Sequence, residues 1–292
     1  MSSSKPLIYV VCGPTAAGKS DYAMRLAEEL NGALICMDAF QIYQAIPILS
    51  ASPSTQDLRR VSHYLYSILS PLENFSLPQY YQLACDKVLE LLDSGITPIF
   101  VGGAGLYMKV LFDGLEDSNT PENPAFRHSL KEQFLRLGGE ALHKNLMDKN
   151  PEAAKKIHPN DQKRLIRALE VMEFSTGEKQ RVNHLAHICP EWVKLYVNVE
   201  RDELYNRIRC RVDRMISDGV EAEVEALVSH GIGPSHTAYH AIGLKETCAY
   251  LQGQVSREEW IERFKRNSCR FAKRQLTWFR SFSGLKEVIQ RP

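Results

Sequence analysis

Eight residues, Gly13-Pro14-Thr15-Ala16-Ala17-Gly18-Lys19-Ser20, constrain the fold of this chain more than any others. They follow an apolar run, Leu7-Ile8-Tyr9-Val10-Val11-Cys12, and precede a helical pattern, Asp21-Tyr22-Ala23-Met24-Arg25-Leu26-Ala27. Strand, glycine-rich loop and helix form the setting that makes a G-x-x-x-x-G-K-[ST] spacing a P-loop. The glycines let backbone N–H groups curl round an anion, and the helix N-terminus adds the positive end of its dipole. Lys19 supplies a point charge, and the Ser20 hydroxyl can ligate Mg2+. The loop implies an anion and leaves its identity open.

Composition narrows the rest. The chain has 292 residues, 44% of them hydrophobic, enough for one large domain or two small ones. Its 36 basic and 35 acidic residues nearly cancel, so partners must be argued from local clusters. Seven cysteines with no C-x-x-C pair signal neither a zinc knuckle nor a disulfide framework. They read as small buried thiols in a reducing cytosol. No apolar run approaches the roughly 18 residues of a membrane-spanning helix. The first apolar run leads directly into the P-loop, which makes it a core strand and not a signal peptide. A soluble, cytoplasmic protein is expected.

Along the chain, Ala33-Leu34-Ile35-Cys36-Met37-Asp38 reads as a buried parallel strand ending in an acid. Tyr64 to Leu69 looks like another strand. A helix is expected from Leu77 to about Asp93, with Leu83, Val88 and Leu91 or Leu92 as its apolar positions, stopped by Ser94-Gly95. Pro98-Ile99-Phe100-Val101 reads as a third central strand, ending in Gly102-Gly103-Ala104-Gly105. This alternation predicts a doubly wound parallel sheet that binds ligands at the carboxyl ends of its strands. From Asp117 to Pro124 the sequence is polar and turn-rich, a domain boundary. Helices alone are expected from there to about Glu191, over 125–137, 139–148, 151–156 and 160–174. A strand returns at Trp192 to Val199. The division is a P-loop core over 1–116, an all-helical insertion over 117–190 and the resumed core over 191–292. A helix from Arg201 places Leu204, Ile208, Val212 and Met215 on one face and Arg207, Arg211 and Arg214 on another. The closing helix, about 256–281, carries Trp260, Phe264, Phe271, Gln275 and Trp278 on a stripe flanked by basic residues.

Asp38 is the second candidate for chemistry, because its strand should end beside the P-loop. It could ligate Mg2+, act as a general base, or simply order a turn. The strand at 98–101 ends in glycine, where a P-loop NTPase carries a Mg2+-holding Asp. That absence favours a phosphate used as a handle or leaving group. A kinase-like phosphoryl donor is the rival. Basic residues recur on two segments: Lys163, Arg164 and Arg167 after His158-Pro159-Asn160-Asp161, and Lys273, Arg274 and Arg280 near Trp278 and Phe279. Such faces can grip RNA phosphates and stack bases, or merely be solvated. Arg211 could clamp a diphosphate or sit on the surface. The nine histidines show no metal-ligand spacing.

These residues together resemble the tRNA dimethylallyltransferase family, the tRNA isopentenyltransferases, of bacterial type. The resemblance rests on Gly13 to Ser20, Asp38-Ala39-Phe40-Gln41-Ile42-Tyr43, Gly102 to Tyr107, His158 to Asp161 with Arg164 and Arg167 to Val171, Arg207-x-x-x-Arg211, Ala241 to Lys245, and Ala272 to Arg280. It implies transfer of a dimethylallyl group from its diphosphate to N6 of adenosine 37 in tRNAs reading codons that begin with U. The P-loop would cradle the diphosphate, with Lys19, Arg211 and Mg2+ on Ser20 neutralising the leaving group. Asp38 would take the N6 proton. Asp38, Ala39, Phe40, Gln41, Ala104, Arg127, Lys163, Arg164, Leu165, Ile166, Arg167, His240, Lys245, Lys273 and Arg274 would meet the tRNA anticodon stem-loop. A monomer is expected. Ala104, Gln44, Leu244 and Ser268-Cys269 depart from the usual threonine, basic residue, tyrosine and Thr-Arg. Prenylation of free adenine nucleotides, small-molecule phosphorylation and non-catalytic RNA binding are the competing readings.

Overall fold

The computed structural model describes residues 7–117, 120, 122–175, 180–189 and 191–289. The chain opens with β1 (Ile8–Cys12), α1 (Lys19–Leu30), β2 (Gly32–Cys36), α2 (Pro47–Ser50), α3 (Thr55–Arg60), β3 (His63–Tyr64), α4 (Leu77–Asp93), β4 (Thr97–Gly102) and α5 (Gly105–Asp113). Next come β5 (Leu115–Asp117), α6 (Pro124–Leu137), α7 (Gly139–Lys149), α8 (Pro151–Ala154), α9 (Gln162–Phe174) and β6 (Gln180–Val182). It closes with α10 (His184–Ile188), β7 (Trp192–Asn198), α11 (Arg201–Ser217), α12 (Val220–Ser229), a short 3-10 turn, α13 (Leu244–Leu251), α14 (Arg257–Phe279) and β8 (Lys286–Ile289). Two compact units result: Met1–Asp113 with Asn183–Pro292, and Gly114–Val182.

The first unit is built on a parallel six-stranded sheet of order β3-β2-β4-β1-β7-β8. β1 is central, which is why its sequence is an almost unbroken apolar run: side chains on both faces are covered. Helix α1 buries Ala23, Met24 and Ala27, and Ser76 with Gln79 forms the capping box that starts α4. The strand expected over 64–69 is only His63–Tyr64. Leu65 and Ser67 take positive φ values of 63° and 48°, which no strand accommodates. Leu83, expected on the buried face of α4, is 37% exposed; Tyr80, Tyr81, Ala84, Cys85, Val88 and Leu91 face inward. On α14, Trp260, Phe264 and Gln275 are buried as the stripe requires, whereas Trp278 lies at its edge, 36% exposed. None of the seven cysteines is in a disulfide, and five of them are buried.

The second unit is not wholly helical. β5 pairs antiparallel with β6, closing the base of the helical insertion. Residues 183–189, expected in the insertion, pack with the first unit: Asn183 Nδ2 donates to the Phe112 carbonyl at 2.7 Å, and the Tyr81 hydroxyl donates to Asn183 Oδ1 at 3.3 Å. The turn-rich stretch at 117–124 and the boundary at 190 fall partly outside the described residues. Helices α6, α7, α8 and α9 enclose Leu130, Leu142, Leu146, Ala154, Leu165, Ile166 and Leu169. No described helix is long and apolar enough to cross a membrane.

Candidate functional site

The carboxyl ends of β1, β2 and β4 converge on one cavity of about 630 Å³. Thr15, Ala16, Gly18, Lys19 and Ser20 line it from the P-loop, with Asp38 and Gln41 after β2 and Arg207, Arg211 and Arg214 from α11. Gly13, Pro14 and Ala17 of the predicted loop are buried and shape it from behind. Lys19 Nζ donates to the Pro14 carbonyl at 2.8 Å. Burial strips water from this ammonium and lowers its pKa to about 8, although the Asp38 carboxylate pulls it upward; Arg211 adds to the lowering. Arg211 Nη1 donates to the Thr15 hydroxyl at 3.1 Å. Its pKa is lowered by burial, opposed by Asp38 and assisted by Arg214. The free site therefore concentrates positive charge that lacks full solvation, the condition in which an anion binds strongly.

Asp38 stands two residues beyond β2. Its Oδ1 accepts the Phe40 N–H at 2.9 Å and the Gln41 N–H at 3.4 Å, so it orders the following turn as well as facing the cavity. Gln41 Nε2 in turn donates to the Ser50 and Ala51 carbonyls at 3.2 and 2.8 Å, and Glu223 accepts the Ile48 and Leu49 N–H groups at 2.8 and 2.9 Å. A narrow apolar cleft of about 70 Å³ adjoins the cavity. Phe40, Leu49, Ile208, Met215, Phe264 and Phe271 are among its walls, and it shares Thr15, Asp38, Ser50 and Arg211 with the larger space.

The glycine turn after β4 explains how these parts come so close. The Met37 N–H donates to the Val101 carbonyl at 2.8 Å, and the Ala104 N–H donates to the Met37 carbonyl at 3.2 Å. A Cβ on Gly103 would lie 2.3 Å from Gln275 Nε2. Gln275, only 5% exposed, accepts the Thr15 N–H at 2.8 Å and donates to the Gly103 carbonyl at 3.0 Å. Gln275 also lines the cavity; the sequence pattern puts it on the stripe of α14 and gives it no role at the site. An amide within an otherwise apolar stripe was the signal, since a buried amide needs partners.

The residues expected to meet RNA fall into distinct settings. In the first unit Phe40 lines the cleft, and Ala39 and Ala104 are half-buried. Lys245, Lys273 and Arg274 are exposed, as is His240, whose ring meets the Tyr239 ring edge-on. Lys273 shares an exposed groove with Arg209, Arg266 and Arg270. In the second unit Lys163 and Arg164 are exposed at the start of α9. Four other residues there stand in a different setting. Leu165 and Ile166 are 0% and 4% exposed and belong to the unit's core. Arg127 holds the buried Glu170 through Nε at 2.9 Å and Nη2 at 2.7 Å, and holds Glu122 at 3.0 Å. Arg167 pairs with the same Glu170 and donates to the Thr120 carbonyl. Both cations help to hold the unit together through Glu170.

A glycine-rich anion cradle on the central strand of a parallel sheet, faced by a carboxylate and backed by an apolar cleft, defines a P-loop α/β protein for a phosphorylated ligand with an apolar part. The sequence profile of the family described as IPP transferase matches residues 41–282, and the chain belongs to that family. It is 42% identical over 291 residues to a tRNA dimethylallyltransferase of Geobacter sulfurreducens, covering 98% of this chain and 93% of the relative. It is 37% identical over 286 residues to a tRNA dimethylallyltransferase of a Thermoanaerobacter species, covering 96% and 90%. Among solved structures, a full-length tRNA isopentenylpyrophosphate transferase from Bacillus halodurans matches with a TM-score of 0.72 and 36% identity over 98% of this chain and 90% of that one. A eukaryotic dimethylallyltransferase acting on tRNA shares the fold, with a TM-score of 0.82, 24% identity and coverage of 97% and 74%.

Proposed function

We propose that this chain transfers a dimethylallyl group from dimethylallyl diphosphate to N6 of adenosine 37 in tRNAs reading codons that begin with U, releasing diphosphate. One observation carries the reading at the site: Lys19, Arg211 and Asp38 meet at a polar cavity that opens onto an apolar cleft through shared walls. The diphosphate belongs against the P-loop, Lys19 and Arg211. The allyl carbon and the adenine amine belong at the shared wall beside Asp38. There the C–O bond to diphosphate breaks and the C–N6 bond forms. Asp38 accepts the N6 proton, and the electron pair of the broken bond leaves with the diphosphate. An aromatic amine is a weak nucleophile, so a positioned base accelerates its attack. Charge building on the leaving oxygens is met by preorganised cations. Adenosine 37 lies in a loop, from which a base can be splayed into an enzyme pocket.

Among the described residues no group of three or more His, Cys, Asp or Glu could hold a metal ion. Ser20 offers one hydroxyl to the cavity, which fits Mg2+, an ion that retains waters and takes substrate phosphate oxygens. Bound there, it would supply further charge neutralisation to the diphosphate. Exposed Lys163 and Arg164 of the second unit, with Lys245, Lys273 and Arg274 of the first, are the cations for the anticodon stem-loop. The setting proposed is the cytoplasm, with the protein acting as a monomer.

The test is incubation with dimethylallyl diphosphate, Mg2+ and unmodified tRNA carrying A36-A37-A38, followed by nucleoside mass spectrometry. N6-dimethylallyladenosine is the expected product. Its absence, with a known enzyme active in parallel, overturns the proposal.

A further inference from the structure

Anion-binding loops of this kind work by turning successive backbone N–H groups towards the ligand. In this chain the Thr15 N–H is turned elsewhere, bonded at 2.8 Å to Gln275 Oε1. The other end of the same amide donates to the Gly103 carbonyl at 3.0 Å. Thr15 needs an acceptor and Gly103 needs a donor, and one side-chain amide supplies both. With only 5% of Gln275 exposed, water cannot stand in for either partner. From the opposite side, Arg211 donates to the Thr15 hydroxyl at 3.1 Å. Thr15 is therefore gripped through its main chain by α14 and through its side chain by α11. Where Thr15 sits decides where the Arg211 guanidinium faces the cavity. The next turn of α14 is itself fixed, because Trp278 packs so tightly on Gly105 that an added Cβ would lie 2.8 Å from the indole ring.

We infer that Gln275, at the wall of the cavity, is a positioning residue for the diphosphate cradle: both ends of its amide are taken up by the protein, and it acts by holding Thr15, and through Thr15 the Arg211 guanidinium, in the geometry that receives the diphosphate. This role rests on the function proposed above. It separates the two tasks of α14. The exposed side of the helix carries Lys273 and Arg274 for RNA, and the buried side tunes the anion site.

The experiment uses the full chain and two variants. Gln275→Met keeps the length and apolar contacts of the side chain and removes both hydrogen bonds. Gln275→Glu keeps an acceptor for Thr15 and sets an oxygen against the Gly103 carbonyl. Binding of inorganic pyrophosphate, measured calorimetrically with Mg2+ present, should weaken about tenfold in each, the order expected when a buried partner is lost. The KM for dimethylallyl diphosphate should rise in step, while the Kd for tRNA alone stays within about twofold, because the exposed face of α14 is untouched. A residue of merely structural importance would lower both affinities together. Two results overturn the role while leaving the proposed function standing: unchanged pyrophosphate affinity in a folded variant, or a parallel fall in tRNA affinity. Should Gln275→Met not fold, Gln275→Leu, which also removes both hydrogen bonds and adds no charge beside the anion, gives the same reading. Wild-type protein that fails to bind pyrophosphate overturns the cradle, and this role with it.

Discussion

Position 102 approaches Met37 so closely that a Cβ there would stand 1.9 Å from the Met37 carbonyl oxygen. The two chain segments that leave β2 and β4 therefore touch through bare backbone, and Asp38 emerges from that contact. This explains why β4 ends in glycine where other P-loop proteins place a metal-binding acid. Any side chain at 102 would push away the segment that carries Asp38. Gly102→Ala should destabilise the protein by about 2 kcal/mol or more, as overpacking against an immovable neighbour does. Thermal unfolding checks this, and a melting temperature within one degree of wild type would contradict the close approach.

Asp38 combines two roles that a substitution can separate. Its Oδ1 orders the turn through the Phe40 and Gln41 N–H groups, a task an asparagine oxygen performs equally well. Asparagine does not accept the N6 proton. Asp38→Asn should keep the fold and pyrophosphate binding and lose about 10²–10⁴ of the single-turnover rate of prenyl transfer, the range for a general base. A rate within tenfold of wild type would reduce Asp38 to a turn residue.

The legible and illegible parts of this chain differ in physical kind. β1, the P-loop and α1 were legible because three local signals coincide: an apolar run buried on both faces, glycines at fixed spacing, and a helical period. The insertion's helices were legible from their period as well. The strand expected at 64–69 failed because apolar content does not report backbone handedness, and Leu65 and Ser67 are left-handed. The ion pairs of Arg127 and Arg167 were illegible for a related reason. A basic residue on a helix looks the same in sequence whether it faces RNA or a buried carboxylate, and Glu170, the carboxylate that claims both, sits beside Leu169 in a stretch that reads as core. Gln275 lies 260 positions from the Thr15 amide it satisfies, a separation no local pattern spans.

Lys19 gives the site a pH dependence whose sign can be worked out. Its pKa in the free protein is lowered to about 8 from its ordinary value of 10.5. As pH rises through about 8 the free site loses a positive charge, so pyrophosphate affinity should fall over that interval. The unfolded chain keeps this proton to higher pH, so the ligand-free protein gains stability from Lys19 as pH rises from about 8 towards 10.5. Calorimetric titrations from pH 6.5 to 9.5 would show the fall. Pyrophosphate itself ionises in this range, so the quantity to compare is the ratio of wild-type to Lys19→Met affinities, which should shrink as pH increases. A constant ratio would mean that Lys19 stays charged throughout.

Glu170 governs the second unit from its centre. It is completely buried and receives Arg127, Arg167 and the Asn123 N–H, the last at 2.8 Å. Burial works against its charge, and the bonds from Arg127, Asn123 and Arg167 outweigh that, holding the carboxyl below the usual range. A depressed carboxyl stabilises above its unfolded pKa and loses that contribution as pH falls through the folded value, so the unit should weaken in acid. Glu170→Gln keeps the shape but leaves two arginines facing a neutral amide. Breaking a buried pair on one side costs about 3 kcal/mol or more, so the variant should unfold at lower urea concentration and bind tRNA weakly, while pyrophosphate affinity is retained. Lys163→Ala with Arg164→Ala should weaken tRNA binding by a different route. These side chains are exposed and are the proposed phosphate contacts, so their loss should leave the unfolding midpoint in place and make the salt dependence of tRNA affinity shallower. The pair of variants thus tells a cation that grips RNA from one that holds the fold. A Glu170→Gln protein with wild-type urea resistance would show that the carboxylate does not anchor the unit.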